Sequence, residues 1–370
     1  MFEETVGLPP EIYFPLVFAC MAKYQTLSAE NFYRSPNDFA LRLDWFGQTR
    51  LGREKLERFF GDVAGDYEQF TQLLAQFNKG VNDFTAFRER PILRLGDCFY
   101  PMDFGFLAAK SETAFFWRVH NSLSAPQRDD FHTFWGRLFE RYMHRLMKLS
   151  IDRQVNCYYE SPRYADREND EACDGIMVCK GHVAVVMEFK GSVFTANAKY
   201  GDDPKTLEQE IGKKLIGQEG GDRKGVKQLA HAISSLFQQG RQLRDMDLSS
   251  ITTVYPLLVT RDEIGSTWYL TSYLNEVFKK AVNKKKIRAT VTPLFCVCVD
   301  DFEAFAGVLK TVALSDILKA RYRQDKTLRL PFLLPNNEAL SGIRNPSPTV
   351  EEASTELERQ ARRLFEFDVR

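Results

Sequence analysis

Two apolar runs separated by a short polar turn dominate residues 173–191, CDGIMVCKGHVAVVMEFKG. The runs IMVC and VAVVMEF are apolar at consecutive positions, which is typical of central strands that are covered on both faces of a sheet. The residues between them, Lys180-Gly181-His182, predict a three-residue hairpin loop. Helical patterns before and after this hairpin then predict an α/β fold built around a mixed sheet.

Three charged residues stand at one end of this apolar hairpin: Asp174, Glu188 and Lys190. Side chains alternate between the faces of a strand, so Glu188 and Lys190 share one face, and a three-residue loop places Asp174 opposite Glu188. Two carboxylates this close repel each other, and burial increases the repulsion, so a cation is expected between them. Carboxylate oxygens favour Mg²⁺ or Mn²⁺. Lys190 would then face a water or a phosphate oxygen beside the ion.

The pattern of Asp174 followed by Glu188-Phe189-Lys190 resembles the core motif of the PD-(D/E)XK nucleases, the restriction-endonuclease-like superfamily. The resemblance covers about residues 128–300. It implies a mixed sheet flanked by helices and a Mg²⁺-dependent endonuclease that acts on DNA. The sequence departs from the family pattern at Cys173, where the family has a proline, and in the long connection from the hairpin to the next helix.

The resemblance also assigns roles to individual residues. Asp174 and Glu188 would hold the metal together with the backbone carbonyl of Phe189, and Lys190 would orient the water and stabilise the phosphate. In the family, the helix before the hairpin often carries a further acidic residue, and Glu140 stands in the matching place. The helix after the hairpin often carries a Gln or Lys near its start, which Gln228 matches.

Each of these assignments has a plainer alternative. The pattern acidic-x-Lys also occurs at 203–205 and 222–224, both outside apolar strands. Asp174, Glu188 and Lys190 could form ion pairs at a solvated strand end, and Glu140 could be a surface glutamate paired with a neighbour on its helix. Gln228 lies opposite the apolar face of its own helix, so it reaches the hairpin only if the helix start overhangs the sheet edge.

The helix predicted over 131–150 carries the candidate nucleic-acid surface. Its basic positions recur at helical spacing, as Arg137, Arg141, His144 and Lys148. Its predicted apolar face is Phe131, Phe134, Trp135, Leu138, Tyr142 and Leu146. A second basic cluster, at Lys279, Lys280, Lys284, Lys285, Lys286 and Arg288, is interpreted as solvated surface.

Three regions are expected along the chain. Residues 1–125 predict a mostly helical N-terminal domain for recognition or regulation, and a polar linker, 124–130, leads into a nuclease-like domain over 126–325. Residues 326–370 predict a C-terminal extension that includes a charged helix.

Composition narrows the function further. Fifty basic and fifty acidic residues cancel, so any surface for nucleic acid is local. Seven cysteines without a CxxC pair and five histidines without ligand spacing argue against zinc, and they fit a reducing cytoplasm. Neither a signal peptide nor a membrane span is expected.

Restriction, antiviral defence and DNA repair are all compatible roles, with DNA favoured over RNA and a protein partner or homodimer left open. The alternative function is an inactive nuclease-fold protein that serves as a nucleic-acid-binding or scaffold subunit.

Overall fold

The computed structural model describes residues 2–25, 39–77, 83–166, 170–217, 224–238, 242–283, 287–333 and 347–364. These residues fall into two compact units. The first unit lies within Met1–Phe131, Thr195–Pro204 and Ala353–Arg370, and the second within His132–Phe194 and Lys205–Glu352. Both units are therefore built from separate stretches of the chain, whereas the sequence suggested consecutive domains.

The first unit is mostly helical, with a small sheet. Its helices are α1 (Phe2–Val6), α2 (Pro10–Gln25), α3 (Arg53–Val63), α4 (Tyr67–Phe77), α5 (Thr85–Glu89), α6 (Phe104–Ala108) and α7 (Thr113–Ser122), and later α9 (Ala196–Tyr200) and most of α15 (Pro348–Leu364). Its strands are β1 (Ala64–Gly65), β2 (Ile92–Leu95) and β3 (Cys98–Pro101), of which β2 and β3 pair antiparallel. A 3₁₀ turn, Leu43–Gln48, precedes α3.

The second unit is a mixed sheet covered by helices on both faces. The strands are β4 (Asn156–Glu160), β5 (Gly175–Cys179), β6 (Val183–Lys190), β7 (Thr253–Thr260), β8 (Thr290–Val291) and β9 (Phe295–Cys298). β4, β5 and β6 pair antiparallel, and β7 pairs parallel to β6, β8 and β9. The helices are α8 (Ala125–Ser150), α10 (Pro204–Ile211), α11 (Gly225–Leu236), α12 (Leu270–Ala281), α13 (Val299–Ala306) and α14 (Leu314–Gln324).

Strand alternation divides the buried side chains of this sheet between two cores. Ile176 and Val186 pack with residues of α11 and α12 on one face. Met177 and Met187 pack with residues of α8, α13 and α14 on the other face. Both faces of the central hairpin are therefore buried, as its uninterrupted apolar sequence predicts.

The hairpin loop is the predicted three-residue turn. Cys179 pairs with Val183, so only three residues connect the strands. Lys180 and Gly181 have φ of 52° and 74°, and at the second of these positions glycine removes the steric penalty of a left-handed backbone. The turn fixes the strand register, and the register decides which charged residues meet at the far end of the hairpin.

Other expectations need correction. The predicted linker 124–130 is helical, because α8 already begins at Ala125. Phe134 and Leu138 of the predicted apolar face are exposed, whereas Phe139, Met143 and Met147 face the core. The helix has apolar residues around most of its circumference, so the sequence pattern left its rotation ambiguous.

Two further features of the second half were not predicted. β4 carries a polar residue at each end, and no strand was expected there. The connection after the hairpin contains helices α9 and α10 and a π turn, Gly212–Ile216.

Within the described ranges, none of the helices combines the length and the apolar content that crossing a membrane requires.

A close approach of α8 to the end of β6 generates the first prediction. A Cβ added to Gly191 would lie 3.0 Å from the Phe139 Cβ and 3.1 Å from the Gly136 Cα, whereas one added to Gly136 would meet nothing within 4 Å. Gly191→Ala should therefore lower the free energy of unfolding by about 1–3 kcal/mol. Gly136→Ala should raise it by about 0.5–1 kcal/mol, because glycine is a poor helix former. Chemical denaturation measures both, and equal effects of the two changes would contradict this packing.

Candidate metal-dependent active site

The end of the β5–β6 hairpin brings two carboxylates together. Gly175 pairs with Met187, so Asp174 stands opposite Glu188 one position further along. The backbone carbonyl of Asp174 accepts from the Ser161 N–H at 3.0 Å and so points away from β6. A pair whose backbone groups point away from each other is a non-hydrogen-bonded pair, in which the side chains lie closest. The predicted juxtaposition of these two residues is therefore confirmed.

Lys190 lies on the same face, one pleat further along. Its Nζ donates to Glu188 Oε1 at 2.5 Å. The other oxygen of this carboxylate, Oε2, is buried and has no hydrogen-bond partner in the described part of the chain. Glu188 is fully buried, which makes an unpartnered oxygen costly unless a further group binds it.

The burial of these groups shifts their pKa values. Burial, followed by the charge of Asp174, raises the pKa of Glu188 to about 8. Burial raises the pKa of Asp174 to about 6, against the opposing effect of Lys190. Burial opposes the charge of Lys190, but Glu188 and Asp174 together raise its pKa. The ammonium therefore stays charged at neutral pH, while the two carboxylates compete for a cation or a proton.

Two further carboxylates extend the site. Glu140, Glu171 and Asp174 each offer an oxygen within 4.8 Å of the other two. Glu140 was expected here, whereas Glu171 was missed. Its signal was weak, because Glu171 lies in the polar segment before the hairpin, and only its position three residues before Asp174 pointed to it.

A buried histidine holds Glu140. His144 Nε2 lies 3.4 Å from Glu140 Oε1, and its Nδ1 lies 2.6 Å from the Tyr158 hydroxyl. The hydrogen bond with His144, outweighing the effect of burial, lowers the pKa of Glu140. Glu140 thus contacts His144, as the plainer interpretation proposed, and also faces the acidic cluster.

His144 itself was expected among the basic surface residues, and the structure places it differently. It is only 5% exposed. Its ring also packs edge-on against Phe189, with the ring centroids 5.6 Å apart. His144 therefore supports the site from behind and cannot serve as part of an exposed phosphate-binding stripe.

Of the remaining predicted site residues, Gln228 reaches the hairpin and the basic residues of α8 lie on the surface. Gln228 lies in the first turn of α11, and its Oε1 accepts from Lys190 Nζ at 3.4 Å, so the helix start does overhang the sheet edge. Arg137 and Arg141 are exposed, and Lys148 forms an ion pair with Glu160.

The described residues of the second basic cluster, at the end of α12 and beyond it, lie on the surface. Lys279 pairs with Glu276 at 2.7 Å, and Arg288 donates to the Leu248 carbonyl. Lys284, Lys285 and Lys286 lie outside the described residues.

The donor set suits a hard divalent cation. Asp174 Oδ2 accepts the Phe189 N–H at 2.6 Å, so the carbonyl of Phe189 also points to this edge, because both groups of a strand residue face the same neighbour. Carboxylate and carbonyl oxygens are the ligands of Mg²⁺ and Mn²⁺. Glu188 Oε2, which has no partner among the described groups, is available as a further oxygen ligand.

Comparison with known proteins finds no match: no family model, curated protein or solved structure aligns with this chain.

The raised pKa values predict how metal-free stability depends on pH. Below about pH 4.5, Glu188 is protonated whether the chain is folded or unfolded, and it contributes nothing. Between that value and about pH 8, the unfolded chain loses the proton while the folded chain retains it, so folding becomes less favourable as pH rises. In EDTA, the free energy of unfolding should fall from pH 5 to about pH 8.

Glu188→Gln should flatten this profile, because an amide cannot ionise. Glu208→Gln, at an exposed position of α10, is the matched control and should keep the slope of the parent. Urea denaturation across this pH range provides the measurement. A Glu188→Gln profile as steep as that of the parent would show that Glu188 is not buried as an acid.

Proposed function

We propose that this protein is a Mg²⁺-dependent nuclease that hydrolyses phosphodiester bonds in DNA. The observation that carries the proposal is the buried Glu188 carboxylate, which has one oxygen on Lys190 and one without a partner in the described structure, opposite Asp174. A site that buries two opposed carboxylates and an ammonium at the edge of a sheet is poorly explained by stability alone.

The metal would be held by Asp174, Glu188 and the carbonyl of Phe189, and the carboxylates of Glu140 and Glu171 lie close to that of Asp174. When bound, Mg²⁺ would lower the pKa of a water molecule and offset negative charge on the phosphate. The chain's own residues have separate tasks. Glu188 and Asp174 supply the charge that a cation needs, while His144 and Tyr158 hold Glu140 in place.

Lys190 would stabilise the phosphate as negative charge develops. Its raised pKa keeps the ammonium protonated, and Gln228 Oε1 at 3.4 Å helps to hold it at the edge. A positioned donor of this kind acts in the transition state and is not needed for binding the metal. The two tasks can therefore be separated by mutation.

The restriction-endonuclease-like core is part of this proposal. In support, α8 carries Glu140 before the hairpin and α11 carries Gln228 after it, in the order that the resemblance implies. Exposed Arg137 and Arg141 on α8 supply positive charge for a DNA backbone. The first unit would recognise the substrate or a partner, or regulate the second. A cytoplasmic role in restriction, antiviral defence or repair follows from the same proposal.

Two substitutions test the division of labour. Asp174→Ala should abolish both cleavage and the thermal stabilisation produced by Mn²⁺, because it removes a ligand. Lys190→Ala should keep the stabilisation and lose about 10²–10³ in rate, because it removes only a donor to the phosphate. Differential scanning fluorimetry with Mn²⁺ or EDTA measures binding, and plasmid and linear DNA measure cleavage.

Two other outcomes would contradict the proposal. Cleavage by Lys190→Ala at the parent rate would place the chemistry elsewhere. A parent protein that neither cleaves nor gains stability from millimolar metal would instead be the inactive scaffold.

Glu171 provides a further prediction. If it is a ligand or orients one, Glu171→Gln should raise the Mn²⁺ concentration at half-maximal stabilisation by about 10-fold or more. Glu208→Gln should leave that concentration unchanged. Thermal shift titration gives both values. An unchanged midpoint for Glu171→Gln would remove this residue from the site while leaving Asp174 and Glu188 in it.

A further inference from the structure

Three aromatic side chains are exposed together where α12 begins. Trp268, Tyr269 and Tyr273 are 55%, 59% and 43% exposed, and we refer to them as the aromatic ledge. Tyr273 follows Tyr269 by one helical turn, and its N–H donates to the Tyr269 carbonyl at 2.9 Å. Single exposed aromatics are common on protein surfaces, but three exposed aromatics within six residues are typical of a binding surface.

The ledge belongs to the same sheet edge as the acidic site. β6 and β7 run parallel and end side by side, with Lys190 paired to Thr260 and the Arg261 N–H donating to the Lys190 carbonyl at 2.8 Å. The segment from 261 to 269 therefore leaves the sheet beside Lys190. Its turn, Glu263–Ser266, lies over the end of β9, about two strand spacings or roughly 10 Å from β6.

This segment is fixed in place by buried contacts. The Asp262 carboxylate accepts the N–H of Ile264 at 3.1 Å and the N–H of Phe194 at 2.8 Å, and so links the ledge segment to the chain just beyond Lys190. A Cβ on Gly265 would lie 2.1 Å from Thr260 Oγ1, so only glycine fits there.

Tyr269 adopts a left-handed backbone with φ of 66°, and its N–H donates to the Arg329 carbonyl at 2.7 Å. A non-glycine residue adopts this conformation only when its surroundings enforce it. The outward direction of the ledge is therefore a fixed feature of the fold.

A guanidinium lies beside the ledge. The Arg329 guanidinium is 5.9 Å from the Tyr269 ring centroid. Flat aromatic faces next to an arginine suit a nucleic acid strand, because the rings can stack on bases while the guanidinium carries the positive charge that a phosphate backbone attracts.

We propose that the aromatic ledge stacks the unpaired bases of a nucleic acid strand whose backbone enters the acidic site. The substrate class would be DNA with a single-stranded segment a few nucleotides from the cut. This inference rests on the proposed nuclease function for its location, and on the exposure and fixed geometry of the ledge for its chemistry. Bases inside a duplex are stacked on both faces, so a duplex would not bind to the ledge.

Binding without metal tests the ledge independently of cleavage. In EDTA, fluorescence anisotropy with a labelled oligothymidine strand and with a blunt duplex compares the parent with Trp268→Ala. The variant should bind the single strand about 10-fold more weakly and the duplex unchanged, since each stacked base contributes substantially. Trp268→Phe should restore most of the affinity. Tyr67→Ala, at an 81% exposed aromatic of the first unit, is the control and should bind as the parent does.

The loss in Trp268→Ala should also be similar at low and high salt, because stacking releases no counterions. Equal single-strand affinity in parent and Trp268→Ala, or an equal loss for strand and duplex, would overturn the ledge. So would a parent that binds no single strand, in which case a protein partner is the better occupant. None of these results depends on cleavage, so the ledge and the nuclease proposal can fail separately.

Discussion

The buried contact between Glu188 and Lys190 is the constraint on which the rest of the site depends. One Glu188 oxygen is neutralised by the ammonium at 2.5 Å, and the other has no partner among the described groups. Opposite stands Asp174, whose pKa is also raised by burial. If both carboxyls ionised, they would hold more negative charge than one lysine can offset, and their raised pKa values reflect this conflict. A divalent ion would remove that imbalance, so the same feature that weakens the empty fold would strengthen the filled one.

The register of the hairpin ties this site to the core. Val186 and Glu188 share one face of β6, and Met187 and Phe189 share the other. A slip of one residue would push the carboxylate into the core beneath α8 and move Met187 to the face that carries Asp174 and Lys190. The apolar residues that hold the register therefore also select the position of the charge. A change in the apolar packing of this strand would therefore also displace its charged groups.

The geometry of this hairpin is predictable from the sequence because it depends only on residues that are close together along the chain. Strand alternation, a three-residue loop and the charges at one end decide the geometry of Asp174, Glu188 and Lys190. Residues from other elements were harder to place. The rotation of α8 decides that Glu140 faces the site and that His144 is buried, and apolar residues around the helix left that rotation open. Glu171 has no periodic neighbours, so only the fold reveals its proximity to Asp174.

The overall order of helices and strands around the hairpin was also predictable, but not the division into units. The segment Thr195–Pro204 follows Lys190 closely in sequence and belongs to the first unit, where Tyr200 stacks on the Arg88 guanidinium at 4.4 Å. A sequence pattern identifies such a segment as polar and charged, but it does not show which core the segment joins. Discontinuous units depend on tertiary contacts that local propensity does not encode.

The chemical identity of Lys190 follows from the same geometry. An ammonium has three N–H donors, and the contacts to Glu188 Oε1 and Gln228 Oε1 use two of them. The third donor has no partner among the described groups, at an edge where the side chain is 18% exposed, and under the proposed function a phosphate oxygen would accept from it. A guanidinium has five donors in a rigid fork, and in this nearly closed space it would leave several of them buried without acceptors. A compact, flexible cation is therefore the group that this pair of acceptors can hold while one donor remains available at the exposed edge.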